Sequence, residues 1–203
     1  MSERSSGEAQ SLYSVEVLLV PGGKLPERKT DRSIGHDMFA RAIVAPKQEG
    51  KNGFDELFDF KMLPSSASSQ AHIEPIFNNG EWQWAWRLDP GERVLVGVGV
   101  ALGLPNRPEG RESFGMVTPR SGLAYRHGIS IENTPGIVDA DYRAELAPAL
   151  TNHGDQPFLI THQARIAQII FAEAYLPTIN IVDENRELPA TDRGFGGYGS
   201  TGS

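Results

Sequence analysis

Cysteine is absent from the 203 residues, which excludes a disulfide framework and a thiolate zinc site and fits a reducing compartment. No apolar run is long enough to span a membrane, and the polar stretch from Met1 to Gln10 lacks the basic start and apolar run of a secretory signal. A cytoplasmic protein with no membrane partner is the expectation. Positive charge is also scarce: 19 Lys and Arg against 26 Asp and Glu leave a net charge of -7. No nucleic-acid partner is expected, because a polyanion binder carries a basic excess on at least one face. An anionic ligand must therefore be met locally, and Arg120, Arg165 and Arg193 stand in segments otherwise poor in positive charge. The five His are scattered, and neither HExxH nor GxSxG occurs, which leaves zinc-hydrolase and serine-hydrolase readings without support.

Long helical periodicity is missing as well. Runs rich in Val, Ile, Leu and aromatics at Leu12 to Val20, Val94 to Leu102, Gly136 to Tyr142 and Ala164 to Tyr175 read as strands. The 22 glycines and 14 prolines punctuate the chain at short intervals, as in a sandwich or barrel of short strands rather than alternating βαβ units. One β domain over residues 11–190 accounts for the length. Within it, residues from about 48 to 87 read as an insertion containing a hairpin, with its turn at Asn78-Asn79-Gly80. Trp82, Trp84 and Trp86 alternate after that turn, so a strand would set the three indoles on one face, for core packing or for a partner. Residues 191–203 are mostly Gly and small polar residues, too poor in apolar surface to fold alone, and are expected to form a flexible tail.

Three segments carry chemistry. Gly194, Gly196 and Gly199 form GxGxxG, but no strand-to-helix context follows, which rejects a dinucleotide fingerprint. The tail either wraps its amides around phosphate, aided by Arg193, Ser200 and Thr201, or merely solubilises the chain. Around Arg120, Ser121 and Gly122, a guanidinium, a hydroxyl and an unobstructed amide converge on one turn, either for phosphate or as a solvated loop. Asp139 and Asp141 would share one side of a strand, as paired acids that bind a divalent cation or orient water, or as an ordinary surface pair.

In chain order, SIGHDMFA (33–40), PRSGLA (119–124), NTPGIVDADYR (133–143), ARIAQIIF (164–171) and RGFGGYGSTG (193–202) together resemble the five motifs of the trimeric dUTPase family. The resemblance implies an all-β, jelly-roll (β-clip) domain and Mg2+-dependent hydrolysis of dUTP to dUMP and pyrophosphate in a homotrimer with intersubunit active sites. By that resemblance Asn133, Gly136 and Val138 belong to the uracil-binding hairpin and Tyr142 packs under deoxyribose. Asp139 is the implied general base, and Asp37 joins the water and metal network, meeting Mg2+ through water. Arg120, Ser121, Gly122 and Gln168 match phosphate-contacting positions, while Arg165 is either one of these or half of an intersubunit ion pair. The tail, residues 191–203, would close the active site, with Arg193 reaching the γ-phosphate, Tyr198 stacking on uracil, and Gly199 and Ser200 beside them.

The sequence departs from the family pattern at His36, where tyrosine is common, at Ala144, where glycine usually follows Asp-Tyr-Arg, and at Tyr198, where phenylalanine is usual. Two rivals share the fold: a dCTP deaminase, whose catalytic glutamate is replaced here by Ala149, and a regulatory trimer that binds a protein partner through the insertion.

Overall fold

The computed structural model describes residues 14–48, 51–61, 72–182, 188–192 and 194. Short runs bounded by turns give fifteen strands and one helix among these residues. The first five strands are β1 (Glu16–Leu19), β2 (Glu27–Arg28), β3 (His36–Phe39), β4 (Ala42–Pro46) and β5 (Phe54–Asp59). They are followed by β6 (Ile73–Asn78), β7 (Glu81–Leu88), β8 (Arg93–Gly97), β9 (Val100–Gly103) and β10 (Arg111–Thr118). Helix α1 (Ser121–His127) precedes β11 (Ile129–Ile131), β12 (Gly136–Val138), β13 (Ala149–Asn152), β14 (Phe158–Thr161) and β15 (Arg165–Tyr175). The all-β class is as expected, and no helix among the described residues is long and apolar enough to cross a membrane.

Two five-stranded sheets dominate, in the orders β12-β10-β15-β3-β2 and β11-β13-β8-β4-β5, beside a three-stranded β14-β7-β6 sheet and a β1-β9 pair. Met38, Ile43, Leu88, Val96, Ile129, Leu150, Ile160 and Ile169 are almost inaccessible to solvent, each contributing roughly 1.5–3 kcal/mol by leaving water. The alternation in β10 buries Ser113, Gly115 and Val117 while their neighbours stay half-buried, so its inward face packs on the core.

Three local outcomes differ from the sequence expectation. The run Val94 to Leu102 is two strands, because Gly99 has φ +70° and a Cβ on Gly23 would fall 2.3 Å from its carbonyl oxygen. At that crossing the chain leaves the β8 sheet and pairs with β1. The run from Gly136 stops at Val138, and residues 139–142 turn, closed by a Tyr142 N to Asp139 O bond of 3.1 Å. Asp139 and Asp141 thus stand in a turn rather than along one side of a strand. Finally, the turn at Arg120 opens into α1, which Gly128 terminates in a left-handed conformation, φ +67°.

The hairpin of β6 and β7 turns at Asn79 and Gly80, both with positive φ, the requirement of a type I′ connection. Its tryptophans are graded along the strand. Trp84 and Trp86 pack against the core, and Trp86 stacks on His72 with centroids 5.1 Å apart. Trp82, near the tip, is 73% exposed and, among the described aromatic rings, meets only Phe77, edge-on at 5.4 Å. On its other edge β7 pairs with β14, and β5 extends the β4 sheet, so both strands are integrated into the fold.

Candidate active site

One cluster forms where β3, β10 and β15 lie side by side. Gln168 of β15 is opposite Thr118 on one side and Asp37 on the other. This register delivers Asp37 to the end of β10, where Arg120 begins the approach to α1. Arg120 donates Nε to Asp37 Oδ1 at 2.8 Å and Nη2 to Oδ2 at 3.5 Å. Arg165 donates Nη1 to the same Oδ2 at 3.3 Å, and Arg120 Nη1 donates to the Arg165 carbonyl at 3.0 Å. One carboxylate therefore orients two guanidiniums.

Gln168 donates Nε2 to the Pro119 carbonyl at 3.0 Å, bracing the corner from which Ser121 and Gly122 project. A Cβ on Gly35 would lie 2.2 Å from Gln168 Oε1, so glycine here lets the Gln168 side chain keep this position. Ser121 and Gly122 are exposed in the first turn of α1, where main-chain amides have no intrahelical acceptor. A Cβ at Gly122 would meet nothing within 4 Å, so the space before it is open. These residues line a cavity of about 460 Å³ with Lys29, Ser33 and Ile34. Its two oriented guanidiniums and a nearby lysine suit a multiply charged anion.

A second cavity, about 240 Å³, lies over β12. Asn133, Gly136, Val138, Asp139 and Tyr142 all line it, with Ile131, Leu146 and Pro148. β12 is held in register by β10, Gly115 opposite Val138 and Val117 opposite Gly136, so its backbone is a fixed template. A Cβ at Gly136 would come within 3.4 Å of the Asn133 side chain, which keeps that wall thin. Tyr142 donates its hydroxyl to the Glu145 carbonyl at 3.2 Å. Burial, then the Glu145 charge, raises its pKa above 10.0, so it stays a neutral ring with a fixed tilt. Asp139 is exposed at the rim. Asp141 lines neighbouring depressions but not this cavity.

The two cavities share no lining residue. The structure thus brings Asp37, Arg120, Ser121, Gly122 and Gln168 into one group and Asn133, Gly136, Val138, Asp139 and Tyr142 into another. Arg193, Tyr198, Gly199 and Ser200 lie outside the described residues. Sequence reasoning missed Lys29 and Phe54, which line the first and second cavities respectively; neither stands in a motif. Gly35 does, within SIGHDMFA, so the motif was the readable signal, while its close approach to Gln168 is visible only in the structure.

His36 is edge-on to Phe171, and burial, then Arg28, lowers its pKa from 6.5; it packs beside the site as a neutral ring. Among the described residues, positive φ off glycine occurs only at Asn79 and Gln163, so Ala144 occupies ordinary backbone. Among the described residues one metal-ligand-like group, His72, Asp89 and Glu92, sits at the base of the β6–β7 hairpin. Its atoms are already engaged, Asp89 with Arg87 at 2.7 Å and Glu92 with the Asp89 amide at 3.0 Å.

Comparison with known proteins places the chain in a family. The family model described as dUTPase matches residues 86–202. The deoxyuridine 5'-triphosphate nucleotidohydrolase of Heliobacterium modesticaldum is 36% identical over 184 residues, covering 91% of this chain and 93% of that protein. Its counterpart from Syntrophotalea carbinolica is 45% identical over 115 residues, 57% of this chain and 73% of the relative. Among solved structures, the Staphylococcus bacteriophage 80alpha dUTPase with dUPNHPP aligns with a TM-score of 0.62 and 21% identity. That alignment covers 94% of this chain and 99% of the phage protein, which establishes likeness of fold, the dUTPase jelly roll. With its motif residues gathered into two cavities and its sequence matched over nearly the whole length of a relative, the chain belongs to the dUTPase family.

Proposed function

We propose that this protein hydrolyses dUTP to dUMP and pyrophosphate, as the names of its relatives state for them. The observation that carries the reading is the cavity over β12. It is the hairpin cavity, so named for the uracil hairpin that the resemblance implies, although β12 pairs with β10 and β11 with β13 rather than with each other. At about 240 Å³ it is below the usual range for ligand pockets, roughly 300–1,000 Å³, and it suits a single pyrimidine ring. Uracil presents a fixed donor and acceptor edge that the β12 backbone matches, and Asn133, Gly136 and Val138 frame it. A 5-methyl group or a larger base would meet the walls. Tyr142 lies under the deoxyribose, where a ribose 2'-hydroxyl would strike its ring.

Asp139 is the general base. It takes a proton from water, whose oxygen attacks the α-phosphorus in line; the bond from that phosphorus to the bridging oxygen breaks and pyrophosphate leaves. Arg120, Ser121, Gly122 and Gln168 hold the phosphates, with Arg165 as a second oriented cation. Mg2+ on the triphosphate supplies further neutralisation of charge when bound. Both Asp37 oxygens already accept from arginine, so this carboxylate fits an outer contact through water better than a bare cation.

A homotrimer is part of the proposal. Base and phosphate groups occupy cavities with no common residue in one protomer, and a neighbouring subunit's surface unites them. Residues 191–203, through Arg193, Tyr198, Gly199 and Ser200, close the site over the nucleotide. The domain reading that goes with this is a β domain over 11–190 carrying an insertion at about 48–87.

The test is product analysis with dUTP, dCTP, dTTP and UTP in Mg2+, with and without chelator. dUMP and pyrophosphate from dUTP alone, lost on chelation, is the expected result; deamination of dCTP or absence of turnover would refute it. A second reading, a protein partner at the insertion, is favoured by the exposed Phe77 and Trp82 at the hairpin tip. Replacing both by serine should abolish partner capture without altering turnover, and unchanged capture would remove this reading.

A further inference from the structure

A buried ionic cluster stands behind the hairpin cavity, and the chemistry above leaves it unused. The Arg41 side chain is 7% exposed. It donates Nε to Glu145 Oε1 at 3.0 Å and Nη2 to Oε2 at 2.9 Å, a bidentate fork. Its Nη1 donates to Glu56 of β5. Glycines make the room: a Cβ on Gly97 would lie 2.7 Å from Glu145 Oε1, and one on Gly99 3.0 Å from Arg41 Cδ. The Gly99 amide donates to the same Oε1 at 2.6 Å. Burial acts to lower the Arg41 pKa, but its hydrogen bonds to Glu145 and Glu56 prevail and raise it, so the guanidinium stays charged.

Glu145 ends the loop that carries Asp139 and Tyr142. Its carbonyl accepts the Tyr142 hydroxyl at 3.2 Å, and the next amide, of Leu146, donates to Val100 at 2.7 Å. Glu145 therefore links the Arg41 fork, through its side chain, to the Tyr142 ring, through its carbonyl. β5 reaches this region twice, with Glu56 on Arg41 and with Phe54, two residues earlier on the same face, in the wall of the hairpin cavity.

We infer that Arg41, braced by Glu56, is a positioning residue that fixes Glu145 and so sets how closely Tyr142 approaches the nucleotide sugar. β5 thereby takes part in selecting deoxyribose over ribose. The inference rests on the dUTP reading above.

The experiment compares kcat/KM for dUTP with that for UTP, scored as substrate or as competitor, in the unmutated protein, Glu56→Gln and Arg41→Lys, with thermal unfolding as the control of fold. Glu56 is 40% exposed, so Glu56→Gln is expected to fold. The preference for dUTP should fall roughly threefold in Glu56→Gln and roughly tenfold in Arg41→Lys, the scale of coupling through packed networks. An unchanged preference in folded Glu56→Gln overturns the inference, including when its melting temperature drops, and decides the matter if Arg41→Lys does not fold. Absence of dUTP turnover in the unmutated protein refutes the functional reading itself, and is distinguished by that control from an unchanged preference.

Discussion

The two cavities are built by opposite means. The hairpin cavity is lined by the β12 backbone locked to β10, by apolar side chains, by Asn133 and by one tyrosine, with a single exposed carboxylate at its rim. The cavity at Asp37 is lined by charged side chains with cations in excess, two guanidiniums and Lys29 around one carboxylate. Shape and fixed amides suit a neutral base, for which selectivity comes from what will not fit. Oriented cations suit a triphosphate, whose charge must be matched but whose outline is shared by every nucleotide. Selectivity should therefore reside in the first region and affinity in the second.

The sharpest test of that division is Asp139→Asn. Loss of a general base should lower kcat by about 10²–10⁴, while binding of a non-hydrolysable dUTP analogue, followed by calorimetry, stays measurable. Turnover at the original rate would sink the assignment. Deleting residues 193–203 should lower turnover on the order of 100-fold, the cost of a misplaced substrate, with circular dichroism unchanged; full activity would show that the two cavities need no closure.

Arg120→Ala should lower kcat/KM for dUTP by about 10- to 100-fold through lost charge-assisted hydrogen bonds. The ratio of dUTP to dTTP turnover should stay constant, because the base is read elsewhere. A changed ratio would break the division.

The smallest expected effect is on stability. Burial, then Arg28, lowers the pKa of His36 from 6.5, and burial, then Lys61, does the same for His162. A depressed histidine leaves the unfolded chain binding more protons between the two values, so its contribution is full above about 6.5 and declines as pH falls toward the folded value. The melting temperature should drop by a few degrees from pH 7 to pH 5.5, and the drop should shrink in His36→Gln. The hairpin cavity is lined by no histidine and should add nothing to this slope; an identical slope in His36→Gln would remove His36 as its source.

The hairpin cavity was largely readable because its residues are nearly contiguous. Asn133 to Tyr142 lie in one stretch, and a turn followed by β-branched residues states their local conformation. What escaped was the end of the strand at Val138, since a tyrosine amide returning to Asp139 outweighs the apolar run. Phe54 escaped for another reason: nothing in FDELFDF says that its strand joins the β4 edge beside this cavity. The three tryptophans read as one face, but their gradation from packed Trp86 to exposed Trp82 depends on where the hairpin leaves the body.

The sequence by itself determined the all-β class, the punctuation by turns and the identity of the motif residues, because these are carried by neighbours along the chain. Only the tertiary structure decided that Asp37 would be shared by Arg120 and Arg165, that Arg41 would be buried between Glu56 and Glu145, and that the motif residues would fall into two cavities. Such pairings join strands separated by tens of residues. They follow from sheet order and register, which result from burying the whole core together and not from any local run of residues.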